Sequence, residues 1–173
     1  MPVVLTSFQR SKEIIRKLSL AGAERIFTYS VARFQPKGFN YEELKFLAAN
    51  GKNGKLLLRN FKNPVRDYAE ALKEGYLSRW NEIKKWLDSL KEEETIILCC
   101  WCPHSSQTNK QIDRFGTFCC HTGLIGKMIN KHRPDITVVL DDDRDRYLVE
   151  EWKPNNYKTI DELINEKLEK IEK

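Results

Sequence analysis

The stretch TIILCCWC, residues 95–102, decides how the rest of the chain is read. After Thr95, seven apolar or sulfur-bearing residues in a row suit a central strand covered on both faces, the habit of strands in parallel sheets. Side chains alternate along a strand, so Cys100 and Cys102 share one face while Cys99 and Trp101 share the other. Cys99 reads as core packing.

Working outward, the same grammar recurs. PVVLTSF near the start has the β-branched content of a strand, and QRSKEIIRKLSLAG reads as a helix ending at Gly22. ERIFTYSVARF is a second strand, stopped by Pro36 and Gly38 in QPKGFN. Strand, helix, strand is the opening of a parallel sheet. Residues 41–63 mix a short helical pattern with NGKNG and an apolar LLL, and read as a basic excursion from the sheet.

From Asn63 the periodicity turns helical. Asn63 can cap with Pro64 at the first helical position, and Val65, Tyr68, Ala69 and Leu72 share one face. Gly75 reads as an interruption. Trp80, Ile83, Trp86, Leu87 and Leu90 then recur at the spacing of a buried stripe. Beyond residue 102, HSSQTNKQIDRFG reads as a polar connection, HTGLIGKMINKH as a helix and DITVVLDDD as a strand, so a second parallel unit covers residues 95–143. Thr159 and Glu162 form a capping box for IDELINEKLEKIEK, whose Ile160, Leu163, Ile164, Leu168 and Ile171 make an apolar edge.

The expected architecture is a single α/β domain, Rossmann-like, with a small mostly parallel sheet flanked by helices. Residues 1–154 form the domain, and residues 155–173 a C-terminal amphipathic helix packed on it or on a partner, which leaves a homo-oligomer open. At 173 residues and 40% hydrophobic content, one folded domain is expected rather than two or a disordered chain. No run approaches the roughly 20 apolar residues that span a bilayer, so no membrane partner and a cytoplasmic location are expected. Five cysteines cannot all pair internally, and in a reducing compartment free thiols, metal ligands or reactive sulfur are favoured over disulfides. The net charge of +5 is uneven: residues 45–91 carry 11 Lys+Arg against 5 Asp+Glu, enough to attract polyanions. A solvated helical surface explains the same excess more simply.

All five cysteines lie between Cys99 and Cys120. In a parallel α/β sheet the carboxyl ends of strands and the following helix starts form the binding crevice, and Cys100, Cys102, Cys120 and His121 all fall there. If a helix begins near Thr122, the N–H groups of Thr122, Gly123 and Leu124 can receive an anion. The same positive helix end lowers the pKa of Cys120, the candidate nucleophile. His121 is adjacent in sequence and need not be its base; His104, or a contact of His121 with Cys100 or Cys102, is geometrically easier. The competing reading is inert buried sulfur with a histidine in the helix cap.

Zinc is the alternative use of Cys100, Cys102, His104, Cys120 and His121, although C-x-C followed by C-C-H lacks the paired knuckles of common structural sites. No other cofactor is expected. GLIGK lacks P-loop spacing and has Met128 where Ser or Thr belongs. No cysteine is followed six residues later by the arginine of a tyrosine-phosphatase loop. DDDRDR, residues 141–146, offers carboxylates to magnesium, but its mixed charges read as a solvated turn.

The segments FTYSVARFQPKGFN, YLSRWNEIKKWLDSL, IILCCWC and GTFCCHTGLIGKMINKHRPDITVVLDDDR resemble the domain of unknown function 488 family, in a cyanobacterial or cyanophage-like branch. The resemblance spans roughly residues 25–146. It implies an α/β fold and a shared pocket, and no established activity. In that family a strand ends in a cysteine and a helix starts Cys-His-Arg; Cys100, Cys120 and His121 look like those positions, with Thr122 in place of the arginine. Ser30 and Arg33 look like the polar residues ending the family's early strand, and if the strands are neighbours Arg33 could supply the missing positive charge.

Three functions follow as expectations. The first is an enzyme or binding protein for a phosphorylated small molecule or nucleotide, with Ser30, Arg33, Thr122 and Gly123 holding the anion and Cys120, His121 and Cys100 performing the chemistry. The second is a nucleic-acid binding or processing accessory protein using the basic segment and an exposed Trp80 or Trp86. The third is a zinc-stabilised interaction module without catalysis.

Overall fold

The computed structural model describes residues 1–54, 57 and 63–173, with the side chains of residues 106 and 107 left aside; the LLLRNF part of the expected excursion lies largely outside that set. Six parallel strands form one sheet in the order β3-β2-β4-β1-β5-β6. They are β1 (Pro2–Ser7), β2 (Ile26–Ser30), β3 (Glu42–Glu43), β4 (Thr95–Cys100), β5 (Thr137–Leu140) and β6 (Lys158–Thr159). The expected α/β, Rossmann-like domain is what forms.

TIILCC becomes β4, buried at every position, because it is paired on both sides and covered on both faces. Leu98, Cys100 and Cys102 enter a core with Val3, Leu5, Tyr68, Leu72, Ile83 and Ile125. Ile97 and Cys99 enter the opposite core with Val4, Phe8, Leu18, Ile160 and Leu163. The first core is covered by α2 (Ala69–Ser78), α3 (Trp80–Ser89) and α5 (His121–His132), the second by α1 (Phe8–Leu20) and α7 (Ile160–Ile171).

β1 leads through α1 to β2 on one side of β4, while β4 leads through α5 to β5 on the other side of β1. The connections leaving the adjacent ends of β1 and β4 therefore diverge, which is the switch point at which α/β sheets place their sites. Ser7 and Cys100 are partners there.

Several local readings change. Gly75 does not interrupt a helix: α2 runs through it, and the break falls at Arg79. A Cβ at Gly75 would collide with the backbone carbonyl of Asn50, so the glycine serves close approach. The polar connection contains α4 (Ser106–Phe115), because Ser105 caps it by accepting from the Thr108 N–H and Gly116, at φ 73°, ends it. DDDRDR is not a solvated turn. Asp141 caps α6 (Asp142–Tyr147), and both Asp141 and Arg144 are fully buried.

The C-terminal residues belong to the same body. β6 extends the sheet, the Thr159–Glu162 capping box forms, and Ile160 and Leu163 are buried in the α1-side core. Among the described residues no helix is long and apolar enough to cross a membrane.

Candidate thiolate site

Cys100 ends β4 and Cys120 is the N-cap of α5, which spans the expected HTGLIGKMINKH from His121. Their Sγ atoms lie 3.4 Å apart. Both are buried, as are Cys102, His121 and Thr122.

The cation of this cluster is Arg144, delivered by α6 from the end of β5, the neighbour of β1. Its Nε donates to Thr122 Oγ1 at 2.9 Å, and its Nη2 donates to Cys100 Sγ at 2.8 Å and to the Cys102 carbonyl at 3.1 Å. Its Nη1 donates to Asp141 Oδ2 at 3.0 Å. Asp141 in turn accepts the Thr6 hydroxyl at 2.8 Å and the Arg144 backbone N–H. An arginine with no exposure is costly unless its charge is met and its donors are used, and here both conditions hold.

The polarity of these bonds places the negative charge. Thr122 Oγ1 accepts from Arg144, so its hydroxyl hydrogen is free for Cys120 Sγ, 3.0 Å away. Cys100 Sγ also accepts from Arg144, which leaves its S–H for Cys120 Sγ. Cys120 is thus the common acceptor. Burial works against a charged thiol, but hydrogen bonds from Cys100 and Cys102, the Arg144 charge and His121 outweigh it, holding Cys120 well below the usual thiol range. Burial, together with bonding to Cys102 and Cys120, drives Cys100 well above it. Although the guanidinium sits closer to Cys100 than to Cys120, at 2.8 against 3.8 Å, the two thiols share one negative charge and titrate as a pair.

His121 reaches back to the first strand pair. Its Nε2 lies 2.9 Å from the Val31 carbonyl just beyond β2 and donates to it, which leaves Nδ1 as the other ring nitrogen. That buried Nδ1 has no hydrogen-bond partner of regular geometry. Ligand atoms of Cys100, Cys120 and His121 all lie within 4.8 Å of one another, close enough to hold one metal ion.

The remaining expected residues are distributed otherwise. β2 and β4 are indeed neighbours, but what the end of β2 contributes is the Val31 carbonyl. Arg33 is exposed and lies over the Phe34 ring, and Ser30 alternates onto the Cys99 face, accepting from the Ala32 N–H. His104 is exposed and faces Asp143 at 3.8 Å, outside the thiol cluster. Gly123 is buried, its N–H bonded to the Cys120 carbonyl and its missing side chain filled by Trp152 and Leu148. Trp80 and Trp86 are half-buried against the core, Trp80 beside the His132 ring.

A crevice of about 360 Å³ opens beside this edge of the sheet, lined by Phe8, Gln9, Pro36, Phe39, Trp101 and His104. The Trp101–His104 turn that walls it also carries Cys102 into the cluster. Comparison with known proteins adds nothing to this geometry: no family model, no curated protein and no solved structure matches the chain.

Proposed function

We propose that the protein is a cysteine-dependent enzyme in which the Cys120 thiolate is the nucleophile toward a small electrophile. The observation that carries the reading is the fully buried Arg144, whose donors are committed to Cys100, to Thr122 and, through Thr122, to Cys120. A site built only for packing would fill this volume more cheaply with apolar side chains. Thiolates, not thiols, attack electrophiles, and the positive charge beside Cys120 favours the reactive form at neutral pH. The chain is placed, as part of the same proposal, with the domain of unknown function 488 family, whose strand-end cysteine and Cys-His helix start its Cys100, Cys120 and His121 resemble. The proposed electrophile is small and uncharged. The Thr122 hydroxyl and Gly123 N–H, donors that a phosphate would need, are already engaged within the protein.

The test is a pH series of modification by a small alkylating reagent, with the modified residue located by peptide mass spectrometry. Modification of Cys120 that persists below the ordinary thiol pKa of about 8.5 supports the reading. A Cys120 that in the folded chain reacts neither with that reagent nor with a water-sized oxidant removes it.

A second reading, zinc on Cys100, Cys120 and His121, is favoured by one observation. Nε2–H of His121 donates to a backbone carbonyl and leaves Nδ1 toward the sulfurs, as the outer bonds of zinc-binding histidines do. Metal analysis of protein purified without added zinc decides: a stoichiometric ion supports it, and its absence withdraws it.

A further inference from the structure

Two thiols in van der Waals contact, one of them accepting from the other and from the Thr122 hydroxyl, invite a question about what the second is for. Cys100 Sγ is 3.4 Å from Cys120 Sγ, whereas a disulfide needs about 2.05 Å, so a closure of about 1.4 Å would bond them. Side-chain rotation at a strand end and a helix cap can supply such a movement. Both sulfurs are sealed from solvent, with exposures of 1% for Cys100 and 0% for Cys120, so the electrophile that reaches them is scarcely larger than water.

We infer that the electrophile is hydrogen peroxide, that Cys120 attacks it, and that Cys100 is the resolving thiol that closes a Cys100–Cys120 disulfide. The inference rests on the proposed nucleophilic role of Cys120 and names the substrate class of that site. In the first step the Cys120 thiolate sulfur bonds one peroxide oxygen, the O–O bond breaks, and the leaving hydroxide takes a proton from solvent and departs as water. Cys120 becomes a sulfenic acid. The Thr122 hydroxyl and the Arg144 guanidinium, 3.0 and 3.8 Å from Cys120 Sγ, hold that sulfur as the thiolate that attacks. In the second step the Cys100 sulfur attacks the Cys120 sulfur, the S–O bond breaks, and the hydroxyl leaves as a second water with the Cys100 proton. Two thiols lose two electrons, and the peroxide takes them. A low-molecular-weight dithiol reverses the oxidation by exchange and returns the starting state.

The arrangement separates Cys100, Cys102 and Cys120 from the other two sulfurs. Cys99 faces the opposite core, and Cys119 precedes the cap with its N–H held by Gln111. Oxidation is therefore expected to be confined to this cluster rather than spread over five thiols, with Cys100 as the partner because its Sγ already lies 3.4 Å from that of Cys120.

The test uses the reduced full-length chain and one equivalent of hydrogen peroxide. Thiols are then counted after unfolding, and disulfides are located by peptide mass spectrometry without reduction. The expected result is a loss of two thiols per chain, a Cys100–Cys120 cross-link, and recovery of both thiols with dithiothreitol. In Cys100→Ser the expected product is a Cys120 sulfenic acid, captured by a 1,3-dione, and in Cys120→Ser the peroxide consumption rate falls at least about tenfold. A wild-type chain that accumulates the Cys120 sulfenic acid, or cross-links a different pair, overturns the inference while leaving the nucleophilic reading intact. A Cys120 inert to both peroxide and the alkylating reagent overturns both. The wild-type cross-link requires no variant to fold, so the inference can fail even if Cys100→Ser does not accumulate.

Discussion

Arg144 and Asp141 form an ion pair of 3.0 Å in which neither side chain has any solvent exposure. Their charges are sustained by Thr6, Thr122, Cys100 and the Cys102 carbonyl, so the pair ties the ends of β1, β4 and β5 to the start of α5. Removing one partner strands the other. Arg144→Met is expected to destabilise the fold by about 3–5 kcal/mol in urea unfolding, because Asp141 is left as an uncompensated buried charge. Adding Asp141→Asn, which keeps the cap and an acceptor for Thr6, is expected to recover part of that loss. Strictly additive effects would show that the two residues do not act as a pair.

Thr122 connects the guanidinium to the thiolate. Thr122→Val keeps the shape and removes the hydroxyl, while Thr122→Ser keeps it. A hydrogen bond to a charged group contributes about 1.5–3 kcal/mol, so Thr122→Val should raise the Cys120 pKa by about one to two units and Thr122→Ser by far less. Ultraviolet thiolate absorbance against pH, compared with Cys120→Ser, reads this without requiring reagent access.

Burial pushes the Cys99 thiol up to about 12, which sets the sign of its pH dependence. The unfolded chain releases this proton near pH 8.5, on the order of the free thiol value, while the folded chain retains it. The stability contributed is therefore fully present below about pH 8.5 and is lost as pH rises through the folded value, at up to about 1.4 kcal/mol per pH unit. Cys120 has the opposite sign: its folded pKa is depressed, so its contribution is present above about pH 8.5 and lost as pH falls through the folded value. Urea unfolding across this range should show an alkaline decline that Cys99→Ala flattens. An unchanged slope in Cys99→Ala would assign the decline to other groups.

Gly75 is expected to be intolerant of the mildest substitution. At an exposed helix position alanine stabilises relative to glycine. Here the added methyl would meet the Asn50 carbonyl and the Gly51 Cα, and overpacking of this kind costs about 1–3 kcal/mol. A Gly75→Ala chain with unchanged or raised melting temperature would show that the Asn50–Gly51 segment moves aside freely.

What the amino-acid sequence determined by itself were the features encoded within a few residues of one another. The alternation through residues 95–102 placed Cys100 and Cys102 on one face and Cys99 on the other, and the helix-start signal put Cys120 and His121 at the same edge of the sheet. Caps at Asn63 and Thr159 were equally legible, since a side chain and its N–H partner lie three residues apart. The Ser105 and Gly116 signals that bound α4 were present too, overshadowed by its polar composition. Only the tertiary structure decided which cation joins the thiols. The sequence offered Arg33, which lies on the surface, and disguised Arg144 among the alternating charges of DDDRDR. Whether a charge is solvated or buried depends on partners far along the chain, here 22 residues away at Thr122 and 44 at Cys100. Those partners meet only because β1 brings β4 and β5 to its two sides, and local periodicity carries no record of that pairing.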